Sequence, residues 1–268
     1  MTSASRPLAR RRRDLILELV ANQGSVRVSE LTDRLGVSDM TVRRDLDALA
    51  SEGVVRKVHG GATLPGDARA TVGEPGFAAK LTEQEDEKAG IALAAAALVQ
   101  PGTAIGLTAG TTTWRLAREL GGVADLVVVT NSMRICETLL AFERPDQTVM
   151  LTGGVRTPSD ALVGPLAEQS LRSLHLDQVF MGVHGMTERA GFTTPNLMEV
   201  ETNRVFVAAA ERLVVIADHT KWGTVGLATI APLSAADVVV TDAAIPTGAA
   251  EALTAAGADI VRAATTPA

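Results

Sequence analysis

Leu15, Ile16, Leu19 and Val20 recur at i, i+1, i+4 and i+5. That apolar stripe has helical period and predicts a helix over residues 11–22, stopped by Gly24. Ser29 reads as the N-cap of a second helix that holds Leu31 and Leu35 and ends at Gly36. Ser38 caps a third, with Val42, Leu46 and Leu49 at i, i+4 and i+7, closed by Glu52 and Gly53. Only Gly36 and Val37 part the second helix from the third, a helix-turn-helix spacing. The β-branched stretch 54–58 then predicts a short strand, and His59, Gly60 and Gly61 a turn, so that a β wing follows the third helix.

Residues 65–80 break every period with Pro65, Gly66, Gly73, Pro75 and Gly76, as a linker does. Beyond it strands are predicted at 103–107, 126–130, 148–152, 178–182, 213–217 and 238–241. Helices are predicted at 85–100, 112–120, 132–142, 166–174 and 197–210. Val127, Val128 and Val129 are apolar toward both faces of their strand, which requires a parallel sheet covered by helices on both sides. The expected class is α/β. A winged helix-turn-helix DNA-binding domain spans 1–64, the linker 65–80, and a parallel-sheet domain 81–268.

Composition narrows this picture. Hydrophobic residues at 46% and charged residues at 21% exclude disorder for most of the 268-residue chain. With no Tyr, five Phe and two Trp, an aromatic platform that stacks bases is not expected. Cys136 stands alone, which excludes a disulfide framework and a cysteine zinc site; no metal and no cofactor are expected. The longest apolar run, 91–99, is too short to span a bilayer, and Arg6 and Arg10 to Arg13 precede no apolar run of signal-peptide length. A cytoplasmic protein without membrane contact is the expectation. Charge is unevenly placed: residues 1–64 carry 11 Lys/Arg against 8 Asp/Glu, and residues 65–268 carry 14 against 23. A basic head on an acidic body points the head at a polyanion.

Inward-facing Val42, Leu46 and Leu49 turn Thr41, Arg44 and, to one side, Arg43 outward. A helix fits the major groove of double-stranded DNA, and Arg pairs bidentately with guanine. Ser38 and Thr41 fall on the first turn, where a recognition helix meets bases or phosphates. Lys57 and His59 fall on the wing, placed for the backbone or minor groove, and Arg10 to Arg13 near the first helix, placed for phosphates. Each residue has a plainer reading. Ser38 is also a cap, Arg43 and Arg44 have Asp39, Asp45 and Asp47 as candidate ion-pair partners, and His59 is also a turn residue.

In the second domain four stretches place Gly and hydroxyl residues just after a predicted strand: 108–113, 130–132, 152–154 and 182–185. All four loops of a parallel sheet emerge at its carboxyl rim, where ligands bind. The first, with Gly110, Thr111, Thr112 and Thr113 opening a helix, offers free amides and hydroxyls to a phosphate. Lys221 adds a cation to that rim. Glu199, Asn203 and Arg204 on the helix after 191–196 either reach the rim or lie on the surface. Asp218 and His219 read as a cap or lid anchor, since two ligands do not make a metal site.

Residues 11–64 resemble the winged helix-turn-helix of DeoR-type bacterial transcriptional regulators of the glycerol-3-phosphate regulon kind. The segments AGTTT (109–113), VTNS (129–132), LTGGVR (151–156), LVGP (162–165), GFTTPN (191–196) and ADHTKW (217–222) are similar, in order, to that family's sensor domain. The resemblance implies a repressor of carbohydrate-metabolism genes whose sensor has a ribose-5-phosphate-isomerase-like fold and binds a phosphorylated sugar or related anionic effector. It implies that Gly110 to Thr113 hold the phosphate and that Asn131, Gly153, Gly154, His184, Glu199 and Lys221 line the rest. The sequence departs from the common pattern at Thr108, where many relatives carry Asp, and at Asn203, where many carry Lys. A sugar-phosphate isomerase with a fused DNA-binding head is the alternative. Aldose–ketose isomerisation needs carboxylates as acid and base, and the 182–187 loop has none. The expectation is therefore a sensor without catalysis, acting as a homo-oligomer on two-fold operator DNA.

Overall fold

The computed structural model describes residues 9–23, 25–58, 61–63 and 76–264, and the chain divides into two compact units, 1–80 and 81–268. The predicted linker lies outside the described residues up to position 75, and its far end enters a short helix.

In the first unit α1 (Ala9–Gln23), α2 (Val28–Leu35) and α3 (Asp39–Ser51) pack with a small antiparallel sheet of β1 (Ser25–Arg27), β2 (Arg56–Val58) and β3 (Gly61–Thr63), in the order β1-β3-β2. Ile16, Val20, Leu31, Val42, Leu46 and Leu49 form the core, each at most 2% exposed. Their 3.6-residue spacing is what the sequence displayed. Two details differ. β1 is a third strand, too short at three residues to show alternation. α2 begins at Val28, so Ser29 lies inside the first turn and is not the cap. Gly36 turns α2 into α3 at φ +62°, a left-handed conformation that a side chain would strain.

Helix α4 (Phe77–Leu81) ends at the boundary, and the second unit continues through α5 (Glu85–Ala96), β4 (Ala104–Leu107), α6 (Thr111–Glu119), β5 (Val127–Thr130), α7 (Met133–Leu140) and β6 (Thr148–Leu151). A hairpin of β7 (Val155–Arg156) and β8 (Leu162–Val163) leads to α8 (Pro165–Leu171) and β9 (Leu176–Met181). Then come β10 (Gly185–Thr187), β11 (Gly191–Thr194), α9 (Leu197–Ala209), β12 (Ala210–Ile216), β13 (Ala228–Ala231), β14 (Val238–Asp242), α10 (Thr247–Ala255) and β15 (Asp259–Ala263).

Seven strands form one sheet, β15-β14-β12-β9-β4-β5-β6, and every neighbouring pair is parallel. Alternate residues feed two cores. Val179 packs with Phe206, Leu213 and Leu253 on one face, and Phe180 packs with Ile91, Leu116 and Ile135 on the other. The antiparallel trio β10-β11-β13 and the β7–β8 hairpin were absent from the sequence expectation. Residues 191–194, expected as the approach to a helix, are a fully buried strand.

From β4 the chain steps outward through β5 to β6, then returns to β9 on the other side of β4 and continues through β12 to β15. The order therefore reverses between β4 and β9. At such a switch point the loops leaving the two strands diverge and open a crevice at their carboxyl ends.

Candidate functional site

On α3 the inward residues are Val42, Asp45, Leu46 and Leu49. Asp45 is only 5% exposed because Arg12 of α1 reaches it at 2.5 Å, with Arg13 at 3.8 Å. These two arginines were expected to face phosphates; the structure uses them to bind α1 to α3. Ser38 occupies the N-cap, but its side chain makes no capping bond: its hydroxyl lies 3.0 Å from that of Thr41. The backbone carbonyl of Ser38 accepts instead from the amides of Thr41 and Val42 at 2.9 and 3.1 Å.

Thr41 is half-buried, and Arg43 and Arg44 are exposed. Arg43 pairs with Asp39 one turn earlier, and this hydrogen bond holds the Asp39 carboxyl below its usual pKa. Arg44 has no ion-pair partner among the described residues. Lys57 is the central residue of β2, opposite Ala62, and His59 lies outside the described residues.

At the switch point, Gly110 precedes α6 in extended conformation, and the first helical bond runs from the Trp114 amide to the Gly110 carbonyl at 3.0 Å. The amides before Trp114 face the rim without helical acceptors. The three threonines divide their roles. The Thr113 hydroxyl donates to the Gly110 carbonyl at 3.0 Å, whereas those of Thr111 and Thr112 have no protein partner among the described residues. Thr108 is buried and receives the Gly182 amide at 3.3 Å, tying the β4 loop to the β9 loop.

Other expected residues serve the frame. Asn131 is 1% exposed; its Oδ1 accepts from the Ala109 amide at 2.8 Å and its Nδ2 donates to the Leu162 carbonyl at 3.1 Å. It therefore sets the path of the loop that precedes α6. Gly153 and Gly154 have φ of +75° and +118°, and a Cβ on Gly154 would lie 2.6 Å from the Val163 carbonyl oxygen. They let the chain turn closely against β8. Glu199 is the third helical residue of α9, whose cap Asn196 accepts from the Met198 amide at 3.0 Å. Its carboxylate accepts hydroxyls from Thr157 at 3.0 Å, from Ser159, and from Thr194 at 3.4 Å. It anchors the turn between β7 and β8. His184 is half-buried beside β11, its amide donating to the Thr193 carbonyl at 3.0 Å. Asn203 is buried on α9, and Arg204 donates to the carbonyls of Thr229 and Ile230 at 2.6 and 3.3 Å.

The cations reveal what sequence reasoning missed. Lys221 stands in a short 3-10 turn after β12, its Nζ 3.7 Å from Asp218 Oδ2. Asp218 is fully buried and caps that turn through the Thr220 amide at 3.1 Å, but its Oδ2 has no hydrogen-bond partner. Lys88 is 2% exposed, donates to the Glu83 carbonyl at 2.5 Å and lies within the field of Asp218, Lys221 and Arg115. Burial lowers its pKa to about 8, against the upward pull of Asp218. The signal was legible: Lys88 precedes Ile91, Ala92 and Ala95 at i+3, i+4 and i+7, so a cation falls on the core face of α5. His219 is held by Asp242, with Nδ1 2.9 Å from Oδ1, which fits an anchor for the same turn. Among the described residues no cluster of His, Cys, Asp or Glu could hold a metal ion, and no helix is long and apolar enough to cross a membrane.

Comparison with known proteins follows the same division. Residues 12–67 match the DeoR-like helix-turn-helix domain and residues 83–243 the DeoR C-terminal sensor domain. An uncharacterised HTH-type transcriptional regulator of Escherichia coli, YgbI, is 40% identical over 90% of this chain and 93% of its own length. A putative aga operon transcriptional repressor of Escherichia coli is 34% identical over 93% of this chain and 92% of its own. The glycerol-3-phosphate regulon repressor of Escherichia coli is 31% identical over 89% and 93%. Among solved structures, ribose 5-phosphate isomerase A of Methanocaldococcus jannaschii aligns over 52% of this chain and 55% of its own, with 20% identity and a TM-score of 0.38.

Proposed function

The chain belongs to the DeoR family of DNA-binding transcriptional regulators, and from that premise we propose that it represses carbohydrate-metabolism genes until a phosphorylated sugar or related anionic metabolite releases it from its operator. In this reading residues 1–64 read DNA, 65–80 link, and 81–268 sense the effector. The third helix enters the major groove, with Ser38, Thr41, Arg43 and Arg44 toward bases and phosphates and Lys57 and His59 on the wing. Two-fold DNA calls for paired heads, hence a homo-oligomer.

The observation that carries the sensing role is the pair of hydroxyls, Thr111 and Thr112, that no described residue hydrogen-bonds, at the start of α6, while Lys221 and the buried Lys88 share the field of Asp218 after β12. Amide groups and hydroxyls at a helix start bind phosphate oxygens, and Lys88 and Lys221 neutralise their charge. The buried Asp218 carboxylate, 3.7 Å from Lys221, holds that lysine at the turn after β12. Asn131, Gly153, Gly154 and Glu199 fix the loops around the site. Such a site binds, and its 182–187 loop carries no carboxylate to serve as acid or base. A thermal melt of the full chain against phosphorylated sugars, sugar acids, inorganic phosphate and unphosphorylated sugars tests it. The expected result is stabilisation by at least one phosphorylated sugar beyond inorganic phosphate and beyond its parent sugar. No shift with any phosphorylated compound would remove the proposal.

A further inference from the structure

The outer pole of α3 carries one side chain that neither an ion pair nor a phosphate explains. At about 100° per residue, Met40 and Arg44 lie about 40° apart, both opposite the buried line of Val42, Leu46 and Leu49. Met40 is 67% exposed, against 37% for Leu15 and 38% for Val54, the other exposed large apolar residues of the described head. Its neighbours on the helix are polar. Asp39 and Arg43 neutralise each other on one flank, and Thr41 lies half-buried on the other.

We infer that Met40 reads the C5-methyl group of a thymine in the major groove, beside the base that Arg44 reads. The inference rests on the proposed docking of α3. Base edges in that groove offer donors, acceptors and a single apolar group, the thymine methyl. Phosphates and sugars offer nothing that a thioether prefers to water. Methionine is unbranched and polarisable, so it can follow a methyl group across small shifts in helix register. Met40 also stands on the first turn, the part of a recognition helix that reaches base edges. Four residues of helix rise about 6 Å and a base step rises about 3.4 Å, which places the thymine within about two base pairs of the Arg44 guanine.

The test begins with sites selected by the full-length protein from a random-sequence duplex pool. The expected half-site holds a guanine with a thymine within two base pairs. Each such thymine is then replaced by deoxyuridine, which removes only the methyl group. At one position wild type loses about fourfold in affinity, the equivalent of one buried methyl-sized group. Met40→Ala binds the thymine duplex about fourfold more weakly and no longer distinguishes thymine from deoxyuridine there; Met40→Leu retains the distinction. If deoxyuridine costs wild type nothing at every such thymine, or costs Met40→Ala as much as wild type, the inference is wrong while DNA reading stands. If no duplex sequence is enriched at all, the DNA-reading assignment falls and the inference with it.

Discussion

A lysine on the core face of a helix is only partly compensated by its surroundings, and Lys88 is such a case. Burial drives its pKa down to about 8; Asp218 and Glu83 pull it up, while Lys221 and Arg115 push it down. The sign follows for binding. Between the phosphate's second pKa, about 6, and about pH 7 the ammonium is present and affinity for a phosphorylated effector is nearly flat. Above about pH 8 the free protein loses the cation, the phosphate is already a dianion, and affinity falls by up to about tenfold per pH unit. Isothermal titration from pH 7 to 9.5 with the sugar phosphate returned by the melt screen checks this. Lys88→Met should weaken binding at pH 7 and flatten the profile, and an unchanged slope in that variant would assign the titration elsewhere. In the head, Arg44→Ala should cost about 1–3 kcal/mol of operator affinity and relax base choice at one position. A mobility-shift titration equal to wild type would deny it a base contact. Sequence pattern marked Arg44 as outward because its neighbours' helical period is unambiguous. It placed Asn131 on the rim and left Glu199 between rim and surface, since hydrogen bonding to Ala109 and to three hydroxyls is decided by distant segments.

Among elements, most of the longer ones up to position 242 were legible, whereas α10 and β15 were not expected. α3 and β5 lie where 3.6-residue spacing and a two-faced Val run placed them. β1, β7 and β8, at two or three residues, are too short to carry a pattern. β11 is Gly-Phe-Thr-Thr and resembles a loop in composition, yet its burial between β10 and β13 makes it a strand. Strand order was not legible either, because the return from β6 to β9 is a tertiary event. Packing between α1 and α3 adds to its apolar core an ion pair whose arginine the sequence reading assigned to DNA phosphates. Asp45→Ala removes the buried acceptor that ties α1 to α3 and should destabilise the head by about 1–3 kcal/mol, read from chemical denaturation followed by circular dichroism. A loss below about 1 kcal/mol would mean that the pair adds little to the packing of α1 on α3. At the start of α6, Thr112→Val keeps the shape and removes one hydroxyl. It should weaken the effector response while leaving DNA affinity intact, measured on the same preparation by melt and by mobility shift. A parallel fall in both would make the loop structural.

Over the whole molecule, the proposed function gives attraction for DNA to the basic head and sensing to the acidic remainder of one chain. An effector can release the operator only if it binds the DNA-free state more tightly than the DNA-bound state. A factor of about 100 corresponds to about 2.7 kcal/mol of coupling, and by reciprocity the operator must weaken the effector by the same factor. The direct measurement is fluorescence anisotropy of a selected duplex with the full-length protein, titrated in parallel with the stabilising sugar phosphate and with its unphosphorylated parent. The account expects the phosphorylated compound to release the duplex, the parent sugar to leave it bound, and Thr112→Val to hold the duplex as wild type does but to need more effector. Equal duplex affinity with and without saturating sugar phosphate, or release by the parent sugar at the same concentration, would contradict it.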